Sequence, residues 1–296
     1  MKPFVYEAPA SVEEAVALLY EYGPRARPLA GGTDLLVQLR RGRYDLDLVV
    51  DVKRIPALTR IDFDPTEGLT VGAAVTCAAL CEQPTVQSLY PGLVDAASII
   101  GGAAVRGRAT LGGNLCNAAP SADAIPAMIV LDGMAIVVGP EGERLVPVST
   151  FCTGPGQTVL RRGELVTAFQ VPAPRPHTGA AYVRFIPRGE MDIAVAGAGA
   201  WIALSADNTT IRDARIALSA VAPTPLFVES AGAALVDQAS TEQILDEAAR
   251  AAQEAASPIT DTRGTTAQRR HLAGVLVKRA LRIAVERAKA GTVEEV

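Results

Sequence analysis

Apolar and polar positions recur with two different periods along this chain, and the changes of period divide it into three stretches. Residues 4–7 have the pattern of a short strand. Ser11-Val12-Glu13-Glu14 is a capping box, in which a serine hydroxyl and a glutamate side chain satisfy orphan amides of a first helical turn, and Gly23 closes that helix. Residues 27–30 read as a second strand, 33–41 as a helix and 48–52 as an apolar third strand. This order predicts a small α/β lobe over residues 1–57.

The second stretch, 58–176, changes to hairpin patterns. Residues 59–63 and 69–73 flank Asp64-Pro65-Thr66-Glu67-Gly68, a turn sequence suited to antiparallel strands. Residues 91–100 and 122–131 predict helices. Residues 134–138 and 144–148 pair across a Pro-Glu-Gly turn, and 165–171 form a further strand. Pro172-Ala173-Pro174-Arg175-Pro176 is a stiff link. The third stretch, 177–296, offers strands at 181–186, 193–204 and 211–220, then helices at 226–235, 241–256 and 266–290. The last helix carries Leu272, Val275, Leu276 and Ile283 at helical spacing and is expected to bury that face. Glu294-Glu295-Val296 is expected to fray.

Composition narrows the function. With 296 residues, 49% of them apolar and 20% charged, the chain is long enough for two or three cores. A formal charge of −4 argues against broad nucleic-acid binding, which needs a cationic surface to displace counterions. Any bound anion must be held by backbone amides and a few local arginines. Cys77, Cys81, Cys116 and Cys152 match neither zinc nor iron–sulfur spacing and read as small buried thiols. No apolar h-region follows the first residues and no apolar run reaches spanning length, so the expectation is a reduced, cytoplasmic protein.

The informative chemistry lies in two glycine pairs. Pro28-Leu29-Ala30-Gly31-Gly32-Thr33-Asp34-Leu35 and Thr110-Leu111-Gly112-Gly113-Asn114-Leu115 each place two residues without Cβ where an apolar segment gives way to hydrogen-bonding side chains. Such backbone can approach a bulky anion closely and expose successive N–H groups. Two such loops suit one long ligand gripped between two lobes, and a pyrophosphate-bearing dinucleotide fits. Thr33 can supply a hydroxyl or cap the following helix; Asp34 can cap or accept from a ligand hydroxyl. Either glycine pair alone is equally a tight turn. The second is embedded in a long polar segment, 106–126, of the irregular kind that is usually functional. There is no P-loop motif, and Gly197-Ala198-Gly199-Ala200 reads as small strand residues. His177 and His271 are isolated, and no residue stands out as acid, base or nucleophile, which suits a protein whose cofactor carries the reaction. The basic run Arg40-Arg41-Gly42-Arg43 reads as a solvated helix end or a docking contact.

Taken in order, Ala30-Gly31-Gly32-Thr33-Asp34-Leu35, Thr110-Leu111-Gly112-Gly113-Asn114 and Ser121-Ala122-Asp123-Ala124-Ile125-Pro126 resemble the FAD-binding medium subunit of molybdenum hydroxylases, the xanthine dehydrogenase and carbon monoxide dehydrogenase family. The likeness continues through Arg188-Gly189-Glu190-Met191-Asp192-Ile193-Ala194, Asp261-Thr262-Arg263-Gly264-Thr265, Gln268-Arg269-Arg270 and Arg279-Ala280-Leu281. It therefore covers essentially the whole chain. The resemblance implies an α+β fold: a two-lobed FAD-binding domain like that of vanillyl-alcohol oxidase, and a C-terminal α+β domain with a small antiparallel sheet and helices closing over the flavin.

Carried over by position, Arg27, Pro28, Leu29, Ala30, Gly31, Gly32, Thr33, Asp34 and Leu35 would line the ADP side of FAD. Thr110, Gly112, Gly113, Asn114 and Asn117 would contact the pyrophosphate and ribityl chain, with Ile100 beside the cofactor and Asp123 further along it. Leu165 or Val166 and Arg184 would approach the isoalloxazine, and 188–192 matches a mobile loop beside it in some relatives. No catalytic residue and no metal ligand are implied in this chain. The partners implied are a molybdopterin-binding large subunit and a [2Fe–2S] small subunit, in a dimer of heterotrimers that reduces an external acceptor: quinone, NAD, ferredoxin or oxygen. An acidic residue in place of Met191 goes with NAD in some relatives, which leaves the acceptor open. A stand-alone flavoenzyme of the same fold and a non-catalytic assembly subunit remain the alternatives.

Overall fold

The structure is a computed structural model that describes residues 2–291; the tail expected to fray lies outside them. The N-terminal lobe alternates β1 (Val5–Glu7), α1 (Val12–Tyr22), β2 (Ala26–Leu29), α2 (Leu35–Arg40) and β3 (Leu48–Asp51). Its sheet has the order β1-β3-β2 and is wholly parallel. The capping box starts α1 as expected: Ser11 Oγ accepts from the Glu14 amide and Glu14 Oε2 from the Ala10 amide. Lys53 Nζ donates to the Ala30 carbonyl and pairs with Asp51, pinning the end of β2 where the first glycine pair begins.

The second lobe comprises β4 (Ile61–Asp64), β5 (Gly68–Gly72), helices α3 (Cys77–Glu82), α4 (Pro84–Leu89), α5 (Pro91–Ser98), α6 (Ala103–Arg106), α7 (Leu111–Asn117) and α8 (Ala124–Val130), then β6 (Met134–Gly139), β7 (Gly142–Pro147), α9 (Val148–Phe151), β8 (Cys152–Gly154), β9 (Gln157–Thr158) and β10 (Leu165–Val171). Both hairpins enter one antiparallel sheet of order β4-β5-β10-β6-β7. Strand β10, central and buried along nearly its whole length, joins them. Leu165, at its start, also packs into the core of the first lobe, so one strand carries the floor of the interlobe cleft.

The third unit follows the proline-rich link with β11 (Thr178–Phe185), β12 (Ala196–Leu204), β13 (Ile211–Ser219), β14 (Leu226–Phe227), α10 (Glu229–Ala233), α11 (Glu242–Ala255) and α12 (Thr266–Ala290). The four strands form an antiparallel sheet in sequential order. All nine residues of β12 are buried because helices cover both faces. Ala196, Ala198, Ala200 and Ile202 face the core built with α11 and α12, whereas Trp201 and Ala203 join the core of the second lobe. A Cβ on Gly199 would stand 2.9 Å from the Pro126 carbonyl of α8, which explains the run of small residues read in the sequence.

Three expectations change. The helix expected at 226–235 is a short edge strand followed by a five-residue helix, since Leu226 and Phe227 pair with β13. Residues 193–195 belong to the connection before β12 rather than to the strand. The buried face of α12 is built mainly from Ala273, Leu276, Val277, Ala280, Leu281 and Ala284, while Leu272, Val275 and Ile283 lie at its half-buried edge. Alanine lets this helix lie close on the sheet: a Cβ on Gly179 of β11 would overlap the Ala284 carbonyl.

Candidate functional site

A cavity of about 330 Å³ lies between the first and second lobes. Residues 30–35 form one wall and α7 the other, with Val52, Leu58, Ala73, Leu165 and Val166 also lining it. Gly31 is there because of space: a Cβ would overlap the Arg108 carbonyl of the opposite lobe. Gly32 is there because of conformation, with φ of +75°, in the left-handed region that favours glycine. The resulting path leaves the amides of Gly31, Gly32, Thr33 and Asp34 without an acceptor among the described residues. Gly31 is buried, Gly32 and Thr33 are half-buried and Asp34 is exposed, so the four free amides run out along the cleft as an anion-seeking surface.

The second glycine pair is not a bend. Gly112 and Gly113 occupy the first turn of α7, and much of the polar segment around them is helical. Glycine and asparagine are weak helix formers, so propensity hid the helix. Packing and capping override it: Leu111 and Leu115 are fully buried, and Thr110 Oγ1 accepts from the Gly113 amide at 2.9 Å. The two glycines have different tasks. The Gly112 amide donates to the Ala73 carbonyl at 3.2 Å, and its bare Cα lets the helix sit on that strand end. A Cβ on Gly113 would meet only the Thr110 hydroxyl, at 3.1 Å, so this residue faces open cavity.

Neither Thr33 nor Asp34 caps α2 through its side chain, contrary to one expectation. Both are left at the cavity wall with no side-chain hydrogen bond among the described residues. Desolvation raises the Asp34 carboxyl above its ordinary value although the side chain still touches solvent. The Arg27 guanidinium stacks on the Tyr44 ring 4.6 Å from its centroid and has no carboxylate partner among the described residues. The lobes are stitched across the cleft by Gln38 Nε2 donating to Asn117 Oδ1 at 2.8 Å and by Arg108 Nε donating to the Gly31 carbonyl at 3.2 Å. Asn114 Oδ1 accepts from the Ala124 amide at 3.3 Å and orients the start of α8.

The cavity thus gathers Arg27, Pro28, Ala30, Gly31, Gly32, Thr33, Asp34, Leu35, Ile100, Thr110, Gly112, Gly113, Asn114, Asn117, Leu165 and Val166. Leu29 instead points into the core of the first lobe. Asp123 and Arg184 are not on this wall: they form a buried ion pair at 2.5 Å, and the other Asp123 oxygen accepts from Tyr182 Oη at 2.8 Å. Burial pushes the Asp123 carboxyl up, against the opposing pull of Arg184 and Tyr182. Arg184 borders a separate opening of about 540 Å³ with Gly101, Arg106 and Glu190. Sequence reasoning missed Gln38 and Tyr44, although Gln38 stands one helical turn after Leu35. It also missed Val52, Leu58, Ala73, Val105, Ala109 and Cys116, which in sequence look like any core residue. Cys116 is exposed at the cavity wall, contrary to the reading of all four cysteines as buried thiols.

The third unit meets the second lobe beside this site through residues 186–195. Met191, at φ of +56°, lays its sulfur where a Cβ on Gly102 would stand 2.9 Å away. Gly102 caps α6, whose Val105 lines the cavity with the nearby Ile100.

Residues 2–174 match the family described as the FAD binding domain in molybdopterin dehydrogenase, and residues 181–284 match the CO dehydrogenase flavoprotein C-terminal domain. The chain is 36% identical to the carbon monoxide dehydrogenase medium chain of Hydrogenophaga pseudoflava, over 95% of this chain and 96% of that one. It is 33% identical to the xanthine dehydrogenase FAD-binding subunit of Escherichia coli O157:H7, over 96% of each. Among solved structures, a chain of reconstituted CO dehydrogenase from Oligotropha carboxidovorans superposes with a TM-score of 0.92 at 33% identity, covering 97% of this chain and 99% of that one.

Proposed function

The chain belongs to the FAD-binding medium subunits of molybdenum hydroxylases, and on that premise we propose that it conveys electrons from the [2Fe–2S] clusters of a partner subunit to an external acceptor, through FAD held in the interlobe cavity. It is an oxidoreductase subunit and FAD is its cofactor. The observation that carries the siting is the row of unpartnered amides from Gly31 to Asp34. They fit a diphosphate, which needs local donors in a chain whose formal net charge is −4. The bound flavin supplies one- and two-electron chemistry, and the protein's work is binding and orientation.

Each wall has a part in that work. The amides of residues 31–34 donate to diphosphate oxygens, and Arg27, free of any carboxylate among the described residues, offsets their charge from beside Tyr44. The Thr33 hydroxyl donates to a ligand oxygen, and the Asp34 carboxylate accepts from a ribose or ribityl hydroxyl. Ile100, Val105, Leu165 and Val166 exclude water and give the ring systems an apolar surface. The Asp123–Arg184 pair braces α8 against β11 behind the site. In this reading, units 1–57, 58–176 and 177–296 act as two cofactor lobes and a cover. The partners are a molybdopterin-binding large subunit and a [2Fe–2S] small subunit in a dimer of heterotrimers. A cytoplasmic setting accords with four free cysteines, and no helix among the described residues is long and apolar enough to cross a membrane.

Gly113→Leu tests the siting, because the new side chain has open cavity to enter once the Thr110 hydroxyl, 3.1 Å from the added Cβ, gives way. The expected result is a FAD affinity at least about tenfold weaker, a loss of ~1.4 kcal/mol, in an apo chain that still unfolds cooperatively. Unaltered FAD affinity would place the cofactor elsewhere.

A further inference from the structure

We propose that Arg269 is a positioning residue that holds the loop of residues 186–195 against the cofactor-side wall of the second lobe. The inference rests on reading the interlobe cavity as the FAD site. Arg269 lies in the first turn of α12 with its side chain only 5% exposed. Its Nη1 donates to two carbonyls, Val195 and Ala220, each at 2.9 Å, and its Nη2 donates to Asp261 Oδ1 at 2.7 Å.

These three partners come from three separate segments. Val195 ends the loop and enters β12; its amide donates to the Phe185 carbonyl, next to Arg184. Ala220 holds φ of +63° directly after β13, and its amide donates at 2.7 Å to the Pro120 carbonyl, just beyond α7 of the second lobe. Asp261 closes a small bridge with Gly264. One guanidinium therefore connects the base of the loop to the segment that leaves the second glycine pair.

The bonding pattern points to placement rather than core stability. Arg269 Nε has no hydrogen-bond partner among the described residues, so the group is buried with a donor unmet. A well-packed apolar side chain would fill a core at lower cost. What an apolar residue cannot do is fix two carbonyls and a carboxylate at set spacings, which the planar fork of arginine does. The loop needs such an anchor. Away from Val195, Met191 rests over Gly102 with its own φ positive, and the Arg188–Asp192 ion pair at 3.1 Å lies within the loop. Arg188 and Met191 are exposed, so the base at Val195 decides where the tip lies.

The test is limited trypsin cleavage of the full chain loaded with FAD, comparing wild type, Arg269→Lys and Arg269→Met. The Arg188–Gly189 bond at the loop tip is the reporter. Release of the loop base predicts cleavage there about tenfold faster in Arg269→Met, with other sites cut at wild-type rates. Flavin content should be retained, the visible flavin band should shift, and Arg269→Lys should be intermediate because an ammonium can hold some of the three acceptors. If Arg269→Met does not fold, Arg269→Lys alone decides by the same criterion. Wild-type cleavage at Arg188 in the variants, or faster cutting at every site together with loss of flavin, would overturn the proposal and make Arg269 a general core residue. Failure of the FAD siting would appear separately, as unaltered FAD affinity in Gly113→Leu.

Discussion

Asp34 is the residue where the site's electrostatics can be read most directly. It has no side-chain hydrogen bond among the described residues, and desolvation raises its carboxyl. A folded-state value above the unfolded one means that the folded chain binds more protons across the window between them, so stability falls as pH rises through it. Asp34→Asn should therefore raise the melting temperature of the apo chain at neutral pH, with the gain vanishing below about pH 4. The same substitution should weaken FAD binding if the carboxylate accepts from a ligand hydroxyl, whereas tighter binding would mean that Asp34 only repels the diphosphate. Thr110 works differently. Its hydroxyl caps α7 by accepting from Gly113, so Thr110→Ala should cost about 1 kcal/mol in a denaturant titration. A cost within error would mean that packing alone sets the start of that helix.

At the scale of elements, the sequence announced wherever a local signal agreed with the tertiary context. The capping box before α1, the strand at Leu165–Val171 and the long C-terminal helix were legible because period, caps and turn residues agreed. Helix α7 was not, since Gly112, Gly113 and Asn114 speak against a helix and only burial of Leu111 and Leu115 rescues it. The edge strand at Leu226–Phe227 was hidden for the converse reason: apolar residues near alanines suggest a helix until a partner strand is known. Most of the expected cofactor wall lies on one cavity, but its floor was illegible, because a residue such as Leu58 differs from core only by what is missing beside it. The contact of β11 with α12 gives an element-scale prediction. Gly179→Ala would drive a methyl into the Ala284 carbonyl, so it should destabilise the chain by about 1–3 kcal/mol in urea unfolding. A neutral result would show that α12 can slide on the sheet.

For the molecule as a whole, the third unit is docked by polar contacts as well as by Trp201 and Ala203. Arg287 of α12 donates through Nη1 and Nη2 to Asp95 of α5 at 2.6 and 3.0 Å, and Asp95 also accepts from the Tyr182 amide. The first two lobes are joined by Gln38 with Asn117 and Arg108 with Gly31, by Arg162 donating to the Tyr20 and Glu21 carbonyls, and by Leu58, Ala74 and Leu165 in a shared core. Everything functional then depends on whether the free amides on one lobe meet a diphosphate across from α7. The most direct measurement is a crystal structure of the chain loaded with FAD. The account predicts diphosphate oxygens at about 2.7–3.2 Å from the amides of Gly31 to Asp34, with the rings against Ile100, Leu165 and Val166. A flavin bound outside this cleft, or a diphosphate beyond hydrogen-bonding reach of those amides, would contradict it.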